Sequence, residues 1–180
     1  MIIDDTFSLS RYGLNVRLVN VDDSAFIVAL RTDNKLGKYI HRTDPNVDKQ
    51  VEWFWKYKER EKNGKDYYFM FEKPLGNRLG VLRIYDISDT DFTIGSWVFD
   101  KQSPIGAAIL AEIITREIGF ELFPDKYCRW DTKKDNVNVI QYGLSYHPDV
   151  YMESEDTIYC RCNKENNDKY KNKYLRMLLR

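Results

Sequence analysis

Residues 91–123 read DFTIGSWVFDKQSPIGAAILAEIITREIGFELF. Phe92 to Phe99 is rich in β-branched and aromatic residues and predicts a strand. Asp100 to Pro104 is a short loop, closed by a proline that cannot donate a ladder hydrogen bond. Ile105 to Phe123 predicts a long apolar helix with no acidic residue before Glu112. Gly106, Ala107 and Ala108 stand in its first turn. Small side chains there leave backbone N–H groups approachable, and a helix start of this kind suits a phosphate. A glutamate at position 106 is therefore expected to block such an anion while leaving the fold intact. The same spacing also fits a strand packed closely on a core helix with no ligand.

The rest of the chain is punctuated around this unit. Residues 1–12 read as an entry arm. Leu14 to Val21 alternates, with Leu14, Val16, Leu18 and then Asn20 on one face, as in a half-buried strand. Asp22 or Asp23 is expected to cap a helix over Ser24 to Arg31. Pro45 suits the first position of the next helix, which should run from Asn46 to Lys62. Its apolar stripe is Val47, Val51, Phe54, Trp55 and Lys58. Trp53 and Tyr57 lie on an adjacent face, as core or as lining of a ligand cleft.

Strands follow at Tyr67 to Glu72 and Leu79 to Tyr85, joined at Pro74–Asn77 as a hairpin. Beyond the central helix come a strand at Tyr127 to Thr132 and a helix from Asn136 to Leu144. Tyr151 to Glu153 and Thr157 to Cys162 form an antiparallel pair. Lys164 to Arg180 predicts a charged helix with Tyr170, Tyr174, Met177 and Leu178 inward. The order implies one α+β domain over residues 1–180, a mixed, mostly antiparallel sheet flanked by helices.

Composition narrows the function. Lys+Arg and Asp+Glu both number 28 in 180 residues, so the net charge is zero, which argues against a general nucleic-acid binder. No apolar run is long enough for a membrane span, and Met1–Asp5 has neither a basic nor an apolar leader region, so a cytoplasmic protein is expected. Cys128, Cys160 and Cys162 make an odd count and are expected to be reduced thiols. The C-x-C spacing, even with His147, does not make a zinc knuckle, and no metal is expected. There is no P-loop and no nucleophile elbow.

IGSWVF followed by KQSPIGAAILAE resembles the acyl-CoA segment of the GNAT superfamily of N-acetyltransferases, whose pyrophosphate loop has the pattern [Q/R]-x-x-G-x-[G/A]. In one register Lys101, Pro104 and Gly106 take the marked positions; in the next Gln102, Ile105 and Ala107 do. KKDNVNVIQYGLSYHP is similar to that family's strand-end asparagine and following helix, with Asn136 at the asparagine. VRLVNVDDSAFIVALRTD is similar to the opening of members that acetylate ribosomal proteins or nucleotide-linked amino sugars. The resemblance covers about residues 13 to 162.

It implies acetyl-CoA as acyl donor, held by Trp97, Val98, Phe99, Lys101, Gln102, Ser103, Pro104, Ile105, Gly106, Ala107, Ala108 and Asn136. It implies a small-molecule amine acceptor, an amino sugar or a nucleotide-linked amino sugar. A protein N-terminus, or a GNAT-shaped binding module without turnover, are the other readings. Nucleic acid and membrane partners are not expected, and a homodimer stays open. Amine acetylation needs a base, and Asp131, Glu112 and His41 are the candidates. The leaving thiolate needs a proton. Gly143 stands where the family usually has a tyrosine, so Tyr142 is the candidate acid, with Tyr146 one turn further on.

Overall fold

A computed structural model describes residues 3–179. Eight strands form one sheet: β1 Ser8–Arg11, β2 Leu14–Leu18, β3 Tyr67–Glu72, β4 Arg78–Tyr85, β5 Asp91–Phe99, β6 Tyr127–Lys133, β7 Asp149–Glu153 and β8 Thr157–Cys162. Their spatial order is β1-β2-β3-β4-β5-β6-β8-β7. Every neighbouring pair is antiparallel except β5–β6. That parallel step follows from the helix between them, because parallel neighbours need a crossover. The five helices are α1 Ser24–Thr32, α2 Val47–Lys62, α3 Ala107–Leu122, α4 Val137–Leu144 and α5 Lys164–Leu178. The expected α+β class and mixed sheet are what the chain forms.

Helices cover both faces of the sheet. Leu82, Ile84, Phe92 and Ile94 meet Leu110, Ile114 and Ile118 of α3 in one core. Met70, Val81 and Val98 meet Ile27 and Leu30 of α1 and Phe54 and Tyr57 of α2 in the other. Strand β3, YYFMFE, divides its side chains between the two, which is why it reads as a continuous apolar run instead of an alternation.

Several expectations are corrected. The entry arm contains β1, paired with β2 through a turn in which Tyr12 (φ 54°) and Gly13 (φ 77°) are both left-handed. Two such residues make the hairpin turn that matches strand twist, and Tyr-Gly lacks the usual Asn or Asp mark. Asn20 is not on the strand's inner face but caps a short 3-10 turn, Val21–Asp23. Asp23 makes no side-chain cap to α1; it is buried and takes Arg17 at 2.7 Å and Arg78 at 2.9 Å. Asn46, not Pro45, begins α2 as its cap, accepting from the Asp48 N–H. The inner face of α2 is Phe54, Tyr57 and Glu61, while Trp55 is exposed. In α5, Met177 is exposed, and Leu175 and Leu178 pack inward with Asn167 buried.

All three cysteines are free and buried, with Cys128 directly opposite Cys162 across β6 and β8. Burial pushes each thiol's pKa up, for Cys160 to about 11. The folded protein thus holds protons that the unfolded chain releases at a lower pH. This contribution to stability is fully present below the ordinary thiol pKa and is lost as pH rises through about 11. At neutral pH a disulfide-exchange reagent should titrate almost no thiol in the native protein and three after urea unfolding. Rapid modification of any of them in the native state would contradict the burial.

Candidate active site

The site is built where β5 and β6 part. Their pairing holds only at Asp91–Tyr127, Phe92–Cys128 and Thr93–Arg129. On its other edge β5 carries a bulge. Val81 pairs Val98 but Arg83 pairs Gly95, so β5 spends one extra residue over this interval. Ser96 sits there with φ 54°, a left-handed value for a non-glycine residue. A bulge bends its strand and raises the local twist, which takes the end of β5 away from β6. Gly95 is required for close approach: a Cβ there would come within 2.7 Å of the Tyr85 hydroxyl.

A cavity of about 390 Å³ fills the opening. Its walls are Ile94–Trp97 of β5, Trp130–Lys133 of β6, Glu112 and Arg116 of α3, Tyr142 and Gly143 of α4, and Lys38–His41 from the loop between α1 and α2. The Thr132 hydroxyl is buried there without a partner.

The wall on the α3 side is a buried polar cluster. Arg116 pairs with Glu112 one helical turn away. It also donates to Cys162 Sγ at 3.1 Å and lies 4.2 Å from the Trp130 ring centre and 4.7 Å from that of Tyr146. Burial works to lower the Arg116 pKa, but the Glu112 carboxylate, helped by Cys128, Cys162 and Tyr146, raises it on balance. The Tyr142 hydroxyl donates to Glu112 Oε2 at 2.6 Å and lies 3.2 Å from the Tyr146 hydroxyl. Burial, and then the charge of Glu112, push the Tyr142 pKa well up, so this phenol keeps its proton at neutral pH. Its ring is 5.7 Å from that of Trp97 on the bulge. Gly143 faces Trp130 instead, and a Cβ there would stand 2.8 Å from the indole nitrogen. The direction in which a side chain at 143 would project is therefore filled by an indole, while Tyr142 forms the wall.

The opposite wall carries Asp131, Tyr85, His41 and Tyr159. Asp131 is exposed and makes no ion pair or side-chain hydrogen bond among the described residues. Burial, and then the charge of Asp131, push the Tyr85 pKa up. Of the three candidate bases, Asp131 and His41 border the accessible side, whereas Glu112 is only 2% exposed and committed to Arg116 and Tyr142.

Residues 101–108 lie at the end of β5 and the start of α3, outside the walls of this cavity. Lys101, Gln102, Pro104 and Ile105 are exposed. The N–H groups of Gln102, Ser103 and Ala107 are used within the loop. Those of Ile105, Gly106, Ala108 and Ile109 have no protein partner among the described residues. Four free donors at a positive helix end fit an anion such as a pyrophosphate. Gly106 is left-handed at φ 84°. Val98 and Phe99 turn their side chains into the two cores, so only their backbone can serve a ligand. Asn136 borders the cavity and makes no side-chain cap to α4. The residues that the sequence reading missed are Arg116, Trp130, Thr132 and Tyr85. Glu112 and Arg116, an opposite-charge pair four apart after the apolar run that opens the helix, were the one available signal.

The model for the acetyltransferase (GNAT) domain family matches residues 14–142, and the chain belongs to this family. No curated protein sequence matches. Among solved structures the fold is similar to apo FdhC, described as a nucleotide-linked sugar GNAT, with a TM-score of 0.84 and 29% identity over 96% of this chain and 98% of that one. It is also similar to the ribosomal-protein-S5-alanine acetyltransferase of Vibrio fischeri, with a TM-score of 0.71 and 14% identity over 91% and 98% of the two chains. The spermidine N-acetyltransferase of Vibrio cholerae, solved with CoA and spermine, gives a TM-score of 0.72 and 12% identity over 87% and 99%. The last two likenesses show the fold alone.

Proposed function

We propose that this chain is an acetyl-CoA-dependent N-acetyltransferase whose acceptor is the primary amine of a nucleotide-linked amino sugar. The observation that carries the acetyl-transfer reading is the bulged, splayed β5–β6 opening, set at the same end of β5 as the four free N–H groups of the α3 start. The likeness to FdhC over nearly the whole chain supports the acceptor class.

Bound acetyl-CoA supplies an activated acyl carbon: the amine nitrogen forms a C–N bond as the C–S bond breaks, the amine loses a proton and the thiolate gains one. The free N–H groups of residues 105–109 hold the pyrophosphate. In the chain, the exposed Lys101, Gln102 and Pro104 lie between that helix start and Trp97, which lines the opening. Asp131, exposed and unpaired, accepts the amine proton on the side of His41 and Tyr85. The Tyr142 O–H donates to Glu112 in this structure and serves as the proton source on the α4 side by turning from that carboxylate to the departing thiolate.

Acetyl-CoA at about 100 times its Kd should stabilise the protein by roughly 2.7 kcal/mol. Thiol release should then be fastest with nucleotide-linked amino sugars in a panel that includes free amino sugars, polyamines and an N-terminal peptide. With the best acceptor, Asp131→Asn and Tyr142→Phe should each lower kcat by about 10²-fold. A protein that acetyl-CoA does not stabilise sinks the reading altogether. Preference for the peptide moves the acceptor to a protein N-terminus. Unchanged kcat in both variants removes their assigned roles.

A further inference from the structure

A second cavity, of about 370 Å³, adjoins the first, and His41, Tyr85 and Ser96 line both. It lies on the α1–α2 side of the sheet, where Ile27 and Arg31 of α1, Gln50 and Trp53 of α2, and the segment Arg42–Asp44 close it. Four cations, Arg31, Arg42, Lys49 and Arg83, stand in its walls against the single carboxylate of Asp44. They are not equivalent. Arg83 is bound to Asp66, and Lys49 to Asp44. Arg31 has no carboxylate partner among the described residues; it holds the Thr43 hydroxyl at 2.6 Å and donates to the His41 carbonyl at 3.2 Å, which fixes the segment above it. Arg42 has no ion pair among the described residues. The Tyr68 hydroxyl is buried against the same cavity beside the Arg31 guanidinium: burial raises its pKa, and the charge and hydrogen bonding of Arg31 work against that rise.

We infer that this second cavity holds the diphosphate of the acceptor, with the Arg31 and Arg42 guanidinium groups on its oxygens, so that the sugar amine is delivered past Tyr85 and Ser96 to Asp131. The inference rests on the acceptor class proposed above and adds where the acceptor's charge is read. Arg31 is half-buried with no carboxylate partner among the described residues, and Arg42 adds an exposed positive charge to the same wall, beside Asp44. The two suit an anion with several oxygens, since a guanidinium presents paired donors in a fork that matches phosphate. The donor's pyrophosphate is assigned elsewhere: its candidate donors, the N–H groups of Ile105, Gly106, Ala108 and Ile109, line neither cavity. The shared wall of His41, Tyr85 and Ser96 joins the two chambers, so one ligand can occupy both.

The test is calorimetric titration of the full chain, saturated with CoA, with uridine 5′-diphosphate, thymidine 5′-diphosphate and orthophosphate. At least one nucleoside diphosphate should bind, orthophosphate should not bind at the same concentration, and raising salt should weaken binding. Arg42→Gln and Arg31→Gln should each weaken it by at least tenfold, while the CoA-dependent rise in melting temperature stays at its wild-type value. Arg42 is exposed and unpaired, so that variant should fold normally even if loss of the Arg31 tethers loosens the segment. No binding of either nucleotide, equal binding of orthophosphate, or nucleotide binding unchanged in Arg42→Gln would each overturn the inference. Acetylation of a nucleotide-linked amino sugar with the same KM in Arg42→Gln would overturn the subsite and leave the activity standing. Nucleotide binding lost in the variants, without acetylation of any nucleotide-linked amine, would keep the subsite and remove the activity.

Discussion

Arg116→Met is expected to lower the unfolding free energy by about 3–5 kcal/mol, the usual cost of removing one partner from a buried ion pair. Arg116 is 1% exposed and Glu112 is 2% exposed. Methionine can fill much of the space between Trp130 and Tyr146, so the loss comes mainly from the charge left on Glu112. The urea midpoint measures it. Glu112→Gln combined with Arg116→Met should recover a good part of the loss, because the orphaned charge is then gone. The single variant should also weaken proton donation, since Tyr142 is held by the same carboxylate. Wild-type stability in the single variant would mean that Glu112 finds solvent or a proton at little cost, and that the cluster is not a closed ion pair.

Gly106→Glu is expected to remove acetyl-CoA binding and also to destabilise the fold, contrary to the sequence-based expectation of an intact one. A glutamate places negative charge among the free N–H groups of residues 105–109. Charge alone would not harm a helix start, which favours an acid. The backbone decides otherwise. At φ 84° a side chain costs roughly 1–2 kcal/mol, and its Cβ would stand 2.5 Å from Leu178 Cδ2 of α5. The variant should therefore melt below wild type and gain nothing from acetyl-CoA at a concentration that gives wild type roughly 2.7 kcal/mol. Gly106→Ala separates the two effects: it should share the lower melting point and keep some response to acetyl-CoA. If Gly106→Glu is stabilised by acetyl-CoA as strongly as wild type, the pyrophosphate is not bound at this helix start.

Local pattern alone determined the central unit of this protein. The β-branched run Phe92–Phe99, the proline-ended loop and the apolar run after Gly106 placed β5 and α3 within two residues of their ends. The hairpin of β3 and β4, the strand β6 and the helices α4 and α5 were equally legible, because glycine, proline, asparagine or aspartate punctuates the chain around each of them. The family resemblance lay in the same residues.

Tertiary structure decided the rest. Whether Asp23 caps a helix or binds two arginines depends on where Arg17 and Arg78 arrive from other strands. Which aromatic residues of α2 face inward depends on a sheet face that covers Phe54 and Tyr57 and leaves Trp55 out. That Tyr142 lines the cavity depends on Trp130, which β6 brings into the direction of residue 143. Burial and ion pairing, set by contacts between residues far apart in the chain, commit Glu112 to Arg116 and Tyr142 and leave Asp131 and His41 on the accessible side. The second cavity left no mark in the sequence at all. Its cations come from α1, α2, β4 and the α1–α2 loop, and only the packing of those elements over the bulge at Ser96 brings them to one place.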